Sequence, residues 1–287
     1  MNIAISINTG KEGAVKYTSD IIEIFEKNNI SVLIAQENRE LFDNKNIGYY
    51  SDIENAAKIC DLCIAIGGDG TIMSLAKAAA LYGKPVLGIN FGRLGFMAGL
   101  EPIRAEDITK LIKKEYRISK RMMLEITVKR SGNEIYDFYA FNDAVISRGS
   151  LSRIIDLSVS LDNNKISHYR ADGLLLSTPT GSTAYSLSAG GPVIDPKMNC
   201  ILLTPICPHS LFSRSVLFSD TSSLIVRAEN TDNDEIFLTV DGQDSLRIYP
   251  QDEITVKKAD IHAELIMIKN KNFYEILSDK FNERGMD

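Results

Sequence analysis

Leu62-Cys63-Ile64-Ala65-Ile66-Gly67-Gly68-Asp69-Gly70-Thr71 is the stretch that decides the fold. Leu62 to Ile66 is a short unbroken apolar run, the pattern of a strand buried on both faces. From about Ile72 to Leu81 the chain is alanine-rich and spaced as a helix. Between them lie three glycines in four residues, with one acid, Asp69, among them. A strand that enters a helix through glycines presents backbone N–H groups and a positive helix end to an anion. The missing Cβ atoms let that ligand approach the backbone.

The flanks repeat the strand–helix alternation. Upstream, Ile3–Ile7 and Ser31–Ala35 read as strands, while residues 12–27 and Asp52–Ile59 read as helices. Downstream, Pro85–Ile89 is the next strand. This rhythm predicts a parallel sheet with helices on its faces. Near Glu115 the character changes to short alternating runs divided by turns. Met123–Lys129, Tyr136–Val145, Leu157–Leu161, Lys165–Arg170, Ser223–Ala228, Ile236–Val240 and Glu253–Lys258 read as strands, with turns at 131–134 and 162–164. Leu265–Arg284 reads as a strand followed by a helix.

Bulk properties narrow the function. The chain has 287 residues, 44% apolar and 24% charged, in the range of an ordinary globular protein of one or two domains. With 32 basic and 38 acidic side chains the net charge is −6, so nucleic acid is not an expected partner. No secretory signal pattern opens the chain and no apolar stretch reaches membrane-spanning length, so the expected location is the cytoplasm and no membrane partner is expected. Cys60 and Cys63 form a C-x-x-C pair without a second pair, among apolar neighbours, and read as packed core thiols. His168, His209 and His262 lack ligand spacing, so no protein metal site is expected.

Three clusters carry chemistry. The first is Gly67-Gly68-Asp69-Gly70-Thr71. It fails the dinucleotide fingerprint, because the third glycine would fall on Met73, and it is not a P-loop. Gly67, Gly68, Gly70 and Thr71 are candidate phosphate contacts. Asp69 suits a general base for a hydroxyl or a holder of a divalent cation; its plainer reading is a helix cap. The second is Phe141-Asn142-Asp143-Ala144-Val145, either a strand end or a pair of groups for ribose hydroxyls or amide edges. The third runs from Arg170-Ala171-Asp172-Gly173 through Ser177 to Pro192. Its hydroxyls and glycines follow an apolar strand, and Tyr185 offers a flat face to a ring.

Taken together and in this order, the clusters resemble those of the NAD kinases. Gly67–Thr71 is similar to that family's GGDGT motif, Asn142-Asp143 to its Asn-Glu/Asp motif, and Asp172–Pro192 to its long glycine- and hydroxyl-rich motif. Gly88-Ile89-Asn90, Leu94-Gly95-Phe96, Thr204–Leu211 and Asp241-Gly242-Gln243 add further matches, and the resemblance covers nearly the whole chain. GGDG alone is weak, since related lipid and sugar kinases share it. Asp143 stands where many members carry Glu, and Met97-Ala98 departs from a common hydrophobic-then-Thr ending.

The resemblance implies an α/β Rossmann-like N-terminal domain (1–116), a mostly-β NAD-binding domain (117–264), and a segment (265–287) that packs back on the first, with the active site between the domains. It implies transfer of the γ-phosphoryl of ATP to the adenosine-ribose 2′-hydroxyl of NAD, with Mg²⁺ accompanying ATP and no tightly bound cofactor. Asp69 then matches the catalytic acid, with Gly70 beside the dinucleotide. Asn142, Asp143, Arg170 and Asp172 match polar NAD contacts. Thr183, Ala184, Tyr185, Ser186, Leu187 and Ser188 match a loop lining the NAD pocket, and Arg153 and Gln243 match further NAD contacts. A homodimer or homotetramer is implied. The alternatives are a related kinase of lipids or small alcohols, and an NAD(P)-binding sensor without catalysis.

Overall fold

The computed structural model describes residues 1–42, 47–91, 105–149, 153–162, 164–210, 213–229, 235–268 and 272–284. The chain divides into two compact units, Met1–Lys120 with Ile261–Asp287, and Arg121–Asp260.

In the first unit, strands β1 (Asn2–Ile7), β2 (Ser31–Ala35), β3 (Gly48–Tyr50), β4 (Leu62–Gly67) and β5 (Pro85–Asn90) pair in parallel in the order 3-2-1-4-5. Helices α1 (Ala14–Lys27), α2 (Ile53–Ile59), α3 (Asp69–Ala80) and α4 (Ala105–Ile112) alternate with them. A 3₁₀ segment, Gln36–Phe42, precedes β3. The core is made where Ile3, Ile5, Ile34, Ile64, Ile66, Leu87 and Ile89 of the strands meet Ile21, Ile22 and Phe25 of α1. Those three α1 residues share one helical face because their spacing matches 3.6 residues per turn. All six residues of β4 are buried, as its apolar run requires.

This is the Rossmann-like order. The chain runs outward from β1 through β2 to β3, then restarts on the other side of β1 with β4 and β5. The crevice beyond the carboxyl ends of β1 and β4 is therefore the topological switch point, where open α/β sheets bind ligands.

The second unit is mostly β. It contains β6 (Arg117–Arg130, which enters from the first unit), β7 (Asn133–Ala140), β8 (Asp143–Arg148), β9 (Ile155–Leu161), β10 (Asn164–Ala171) and β11 (Gly173–Ser177). A 3₁₀ turn, Gly181–Thr183, and the one-turn helix α5 (Tyr185–Ser188) follow. Then come β12 (Cys200–Ile206), β13 (Val216–Ser219), β14 (Leu224–Glu229), β15 (Ile236–Val240), β16 (Asp244–Ile248) and the long β17 (Asp252–Met267). One sheet has the order β13-β12-β11-β8-β15-β16, antiparallel throughout. The other joins β10, β9, β14 and β17, with β6 pairing both β17 and β7. Alternate residues of the two sheets fill one core: Leu124, Ile126 and Val128 of β6 and Leu157 and Val159 of β9 meet Ala144 and Ile146 of β8 and Leu174 and Leu176 of β11.

β17 leaves the second unit at Asp260, and its Glu264 and Leu265 pair in parallel with Pro85 and Val86 of β5. Helix α6 (Phe273–Arg284) follows.

Three local expectations change. The helix after the glycines starts at Asp69 rather than near Ile72, because Gly68 in extended conformation (φ −96°) serves as N-cap and its carbonyl accepts the N–H groups of Thr71 and Ile72. The run expected as one strand over Tyr136–Val145 breaks at Phe141-Asn142, with β7 in one sheet and β8 in the other. The strand expected over Glu253–Lys258 continues to Met267. No helix among the described residues is long and apolar enough to cross a membrane.

Candidate active site

In the first unit the Gly67–Thr71 turn sits at the switch point. Gly67 ends β4, and its carbonyl accepts the Phe91 N–H at 2.8 Å, which ties the turn to the end of β5. Beside it, the Asn8 N–H donates to the Ile66 carbonyl at 2.8 Å, and the Asn8 Oδ1 accepts the Gly10 N–H at 3.1 Å. The loop after β1 thus closes one side of the crevice, a role that a lone Asn in a turn does not announce. The glycines divide by role. A Cβ on Gly67 would lie 2.5 Å from Thr71 Oγ1 and 3.0 Å from Asn8 Cβ, so the packing of the protein itself excludes one. A Cβ on Gly68 or Gly70 would meet nothing within 4 Å among the described residues. Open space there is room for a ligand against a helix N-terminus, whose first-turn N–H groups lack intrahelical acceptors.

Asp69 is the first residue of α3, half-buried, and does not act as its N-cap: that position belongs to Gly68, and no side-chain cap bond forms. The plain capping reading of Asp69 therefore fails, and its carboxylate stands in the first turn, where the helix dipole favours negative charge.

In the second unit a cleft of about 440 Å³ is lined by Asn142, Asp143, Val145, Ser147, Ala184, Tyr185, Thr239, Asp241 and Gly242. It lies on the face of the β8–β15 sheet opposite the core. Period-two alternation explains this: Ala144, Ile146, Leu238 and Val240 point into the core, so Asp143, Val145, Ser147 and Thr239 point the other way. Tyr185 is 48% exposed at the start of α5, its ring free to meet a planar group. Burial, and then the charge of Asp241, push the Asp143 carboxyl up to about 7.

Of the expected NAD contacts, the cleft brings together Asn142, Asp143, Ala184 and Tyr185. The others stand elsewhere. Arg170 is exposed on β10, where its carbonyl accepts the His209 N–H at 2.9 Å. Asp172 accepts from Arg148 Nε at 2.7 Å, which raises the Arg148 pKa above its ordinary value. Arg153, Ser188 and Gln243 are exposed, and Thr183 and Leu187 are half-buried. Ser186 is fully buried and shares a hydrogen bond with Thr204 at 3.0 Å, so it packs the loop. Leu94–Ala98 and Leu211 lie outside the described residues, as does Asn163 of the expected hairpin turn. Ser147, Thr239 and Asp241 were not singled out as contacts from sequence. Period-two alternation next to Asp143 is the signal that would have found the first. The C-x-x-C pair is buried, with Cys60 and Cys63 sulfurs 3.3 Å apart, in keeping with core thiols.

Two domain families match. The ATP-NAD kinase N-terminal domain matches residues 3–116 and the ATP-NAD kinase C-terminal domain residues 141–268. An NAD kinase of Caldanaerobacter subterraneus subsp. tengcongensis is 43% identical over 83% of this chain and 85% of its own. One of Acetivibrio thermocellus is 35% identical over 99% of this chain and 98% of its own. Among solved structures, yeast NADH kinase complexed with NADH superposes with a TM-score of 0.84 at 25% identity, covering 96% of this chain and 85% of that one. The NAD kinase of Archaeoglobus fulgidus in complex with ATP shares the fold, with a TM-score of 0.74 at 24% identity over 98% of both chains. With both domains matched and relatives aligned along nearly its whole length, the chain belongs to the ATP-NAD kinase family.

Proposed function

We propose that the protein transfers the γ-phosphoryl of ATP to the adenosine-ribose 2′-hydroxyl of NAD, giving NADP and ADP. The observation that carries this reading is the glycine turn at the switch point, with Asp69 in the first turn of α3 and open space over Gly68 and Gly70. There, Gly68, Gly70 and Thr71 hold phosphate oxygens, and Asp69 takes the proton of the attacking hydroxyl. Gly67 contributes the close packing that shapes the turn. In the second unit, Asn142 and Asp143 bind ribose hydroxyls, and Tyr185 lies against a ring of the dinucleotide. By the family resemblance alone, Arg153, Arg170, Asp172 and Gln243 are further contacts to the dinucleotide.

Mg²⁺ fits this chemistry as a companion of ATP: the groups that open α3, a carboxylate and a hydroxyl, are hard oxygen donors. When bound, the ion neutralises charge on the phosphates. A homodimer or homotetramer belongs to the same proposal, by resemblance.

The test is an end-point assay with purified protein, NAD, ATP and Mg²⁺, in which an NADP-specific dehydrogenase reads the product. NADP should accumulate with ADP in equal amounts. ATP consumption without NADP, or NAD binding without ATP turnover, would overturn the reading.

A further inference from the structure

Asp241 opens the turn from β15 to β16. Asp241 (φ 51°) and Gly242 (φ 67°) are both left-handed, and the Gln243 N–H donates to the Val240 carbonyl at 3.0 Å. This is a type I′ arrangement, suited to Asp-Gly. The turn sends the Asp241 side chain back to the corner where the chain passes from β7 to β8. One carboxylate oxygen accepts the Phe141 N–H at 2.9 Å; the other accepts the N–H groups of Asn142 at 2.7 Å and Asp143 at 3.1 Å. The Asp241 N–H in turn donates to the Asp143 carbonyl at 2.9 Å.

Thr178 holds the same corner from the other side. Its N–H donates to the Asn142 carbonyl at 2.9 Å, and its hydroxyl donates to the Phe141 carbonyl at 2.8 Å. The same hydroxyl accepts the Gly181 N–H at 3.0 Å, and Gly181 sits so close that a Cβ would fall 2.1 Å from the Asn142 carbonyl oxygen. Every backbone N–H and C=O from Phe141 to Asp143 thus has a partner.

A turn alone does not require this residue. Asn-Gly makes the same turn without a charge, whereas a carboxylate 7% exposed carries a desolvation cost. Three backbone N–H donors offset that cost, and all three belong to the segment that bears Asn142 and Asp143. We propose that Asp241 is a positioning residue for dinucleotide recognition: with Thr178 opposite, its carboxylate fixes the Phe141–Asp143 corner so that Asn142 and Asp143 face the cleft in a single geometry. This rests on the reading of Asn142 and Asp143 as NAD contacts. The charge acts on the site as well, since it helps to hold the Asp143 carboxyl at about 7. Among the described residues, the titratable groups lining the cleft are Asp143, Asp241 and Tyr185.

The experiment compares wild type with Asn142→Ala, Asp241→Asn and Thr178→Val. It reads KM for NAD, KM for ATP, kcat, thermal midpoint, and kcat/KM for NAD from pH 5 to 9. Asp241→Asn should raise KM for NAD about tenfold or more, as expected for lost charge-assisted bonds. KM for ATP and kcat should stay within about threefold. The Asp143-dependent midpoint of the NAD profile should move to lower pH once the neighbouring charge is gone. Thr178→Val should raise KM for NAD with the midpoint unmoved. Asp241→Asn with wild-type KM and midpoint but a lower melting temperature would overturn the proposal and leave a structural role only. Should Asp241→Asn not fold, Thr178→Val decides: an unchanged KM for NAD overturns it. If Asn142→Ala also leaves KM for NAD unchanged, the NAD-contact reading fails instead.

Discussion

At the scale of single residues, Asp143 couples the site to pH. Its folded-state pKa is about 7, against an ordinary 3.8, because burial and the Asp241 charge both disfavour the ionised form. Between these values the folded chain keeps a proton that the unfolded chain has released. The neutral carboxyl's stabilisation is therefore complete below the ordinary value and is lost as pH rises through about 7. Asp143→Asn removes the dependence, so the variant should gain on wild type by on the order of a few kcal/mol between pH 4 and pH 8. Denaturant unfolding at both pH values checks this; a gap that does not change with pH would refute it. The glycines give a second contrast. Gly67→Ala forces a Cβ to within 2.5 Å of Thr71 Oγ1 and should cost about 1–3 kcal/mol of stability. Gly70→Ala meets open space and should fold with stability equal to wild type or higher by about 0.5–1 kcal/mol. It should nevertheless raise the substrate KM about tenfold or more by filling the ligand's space. Equal effects of the two on stability would remove the distinction. Asn142, Asp143 and Tyr185 were legible because polar or aromatic residues stand out beside apolar runs. Asp241 was legible only as part of a motif, because its partners lie 98 to 100 residues away in the chain.

At the scale of elements, β4 and α3 show why the first domain could be read and where reading stopped. The apolar run from Leu62 fixed the strand, but the start of α3 depended on the extended conformation of Gly68, which composition does not reveal. The corner at Phe141-Asn142 was missed for a similar reason. Both flanks alternate as strands, and it is the pairing, β7 with β6 and β8 with β11 and β15, that shows the chain changing sheets there. β17 outran its expected length because its second half passes into the first unit and pairs there with β5, a non-local partner. The elements also bury their thiols unequally: Cys60, Cys63 and Cys200 are buried, while Cys207, just past β12, is exposed. Of the four cysteines, the native protein should show one that reacts quickly with an aromatic disulfide reagent, and all four after unfolding. A second fast thiol would mean that Cys60, Cys63 or Cys200 is not protected by the element that buries it.

At the scale of the whole molecule, alternation of strand and helix predicted the parallel sheet, and alternation of apolar and polar residues predicted the β-rich remainder. Strand order was not legible, since pairing of β1 with β4, and of β8 with β11 and β15, joins segments far apart in sequence. The order matters for function because it puts Asn8 beside Gly67 and so builds the crevice into which α3 opens. Membership of the ATP-NAD kinase family rests on both domains together, and the chemistry assigned to the protein rests on one side chain. The most direct test is the single-turnover rate of phosphoryl transfer from ATP to NAD, measured for wild type and Asp69→Asn beside NAD affinity. The rate should fall by about 10²–10⁴-fold, with NAD affinity little changed. A rate within a few-fold of wild type would contradict it, and the base would have to be sought elsewhere.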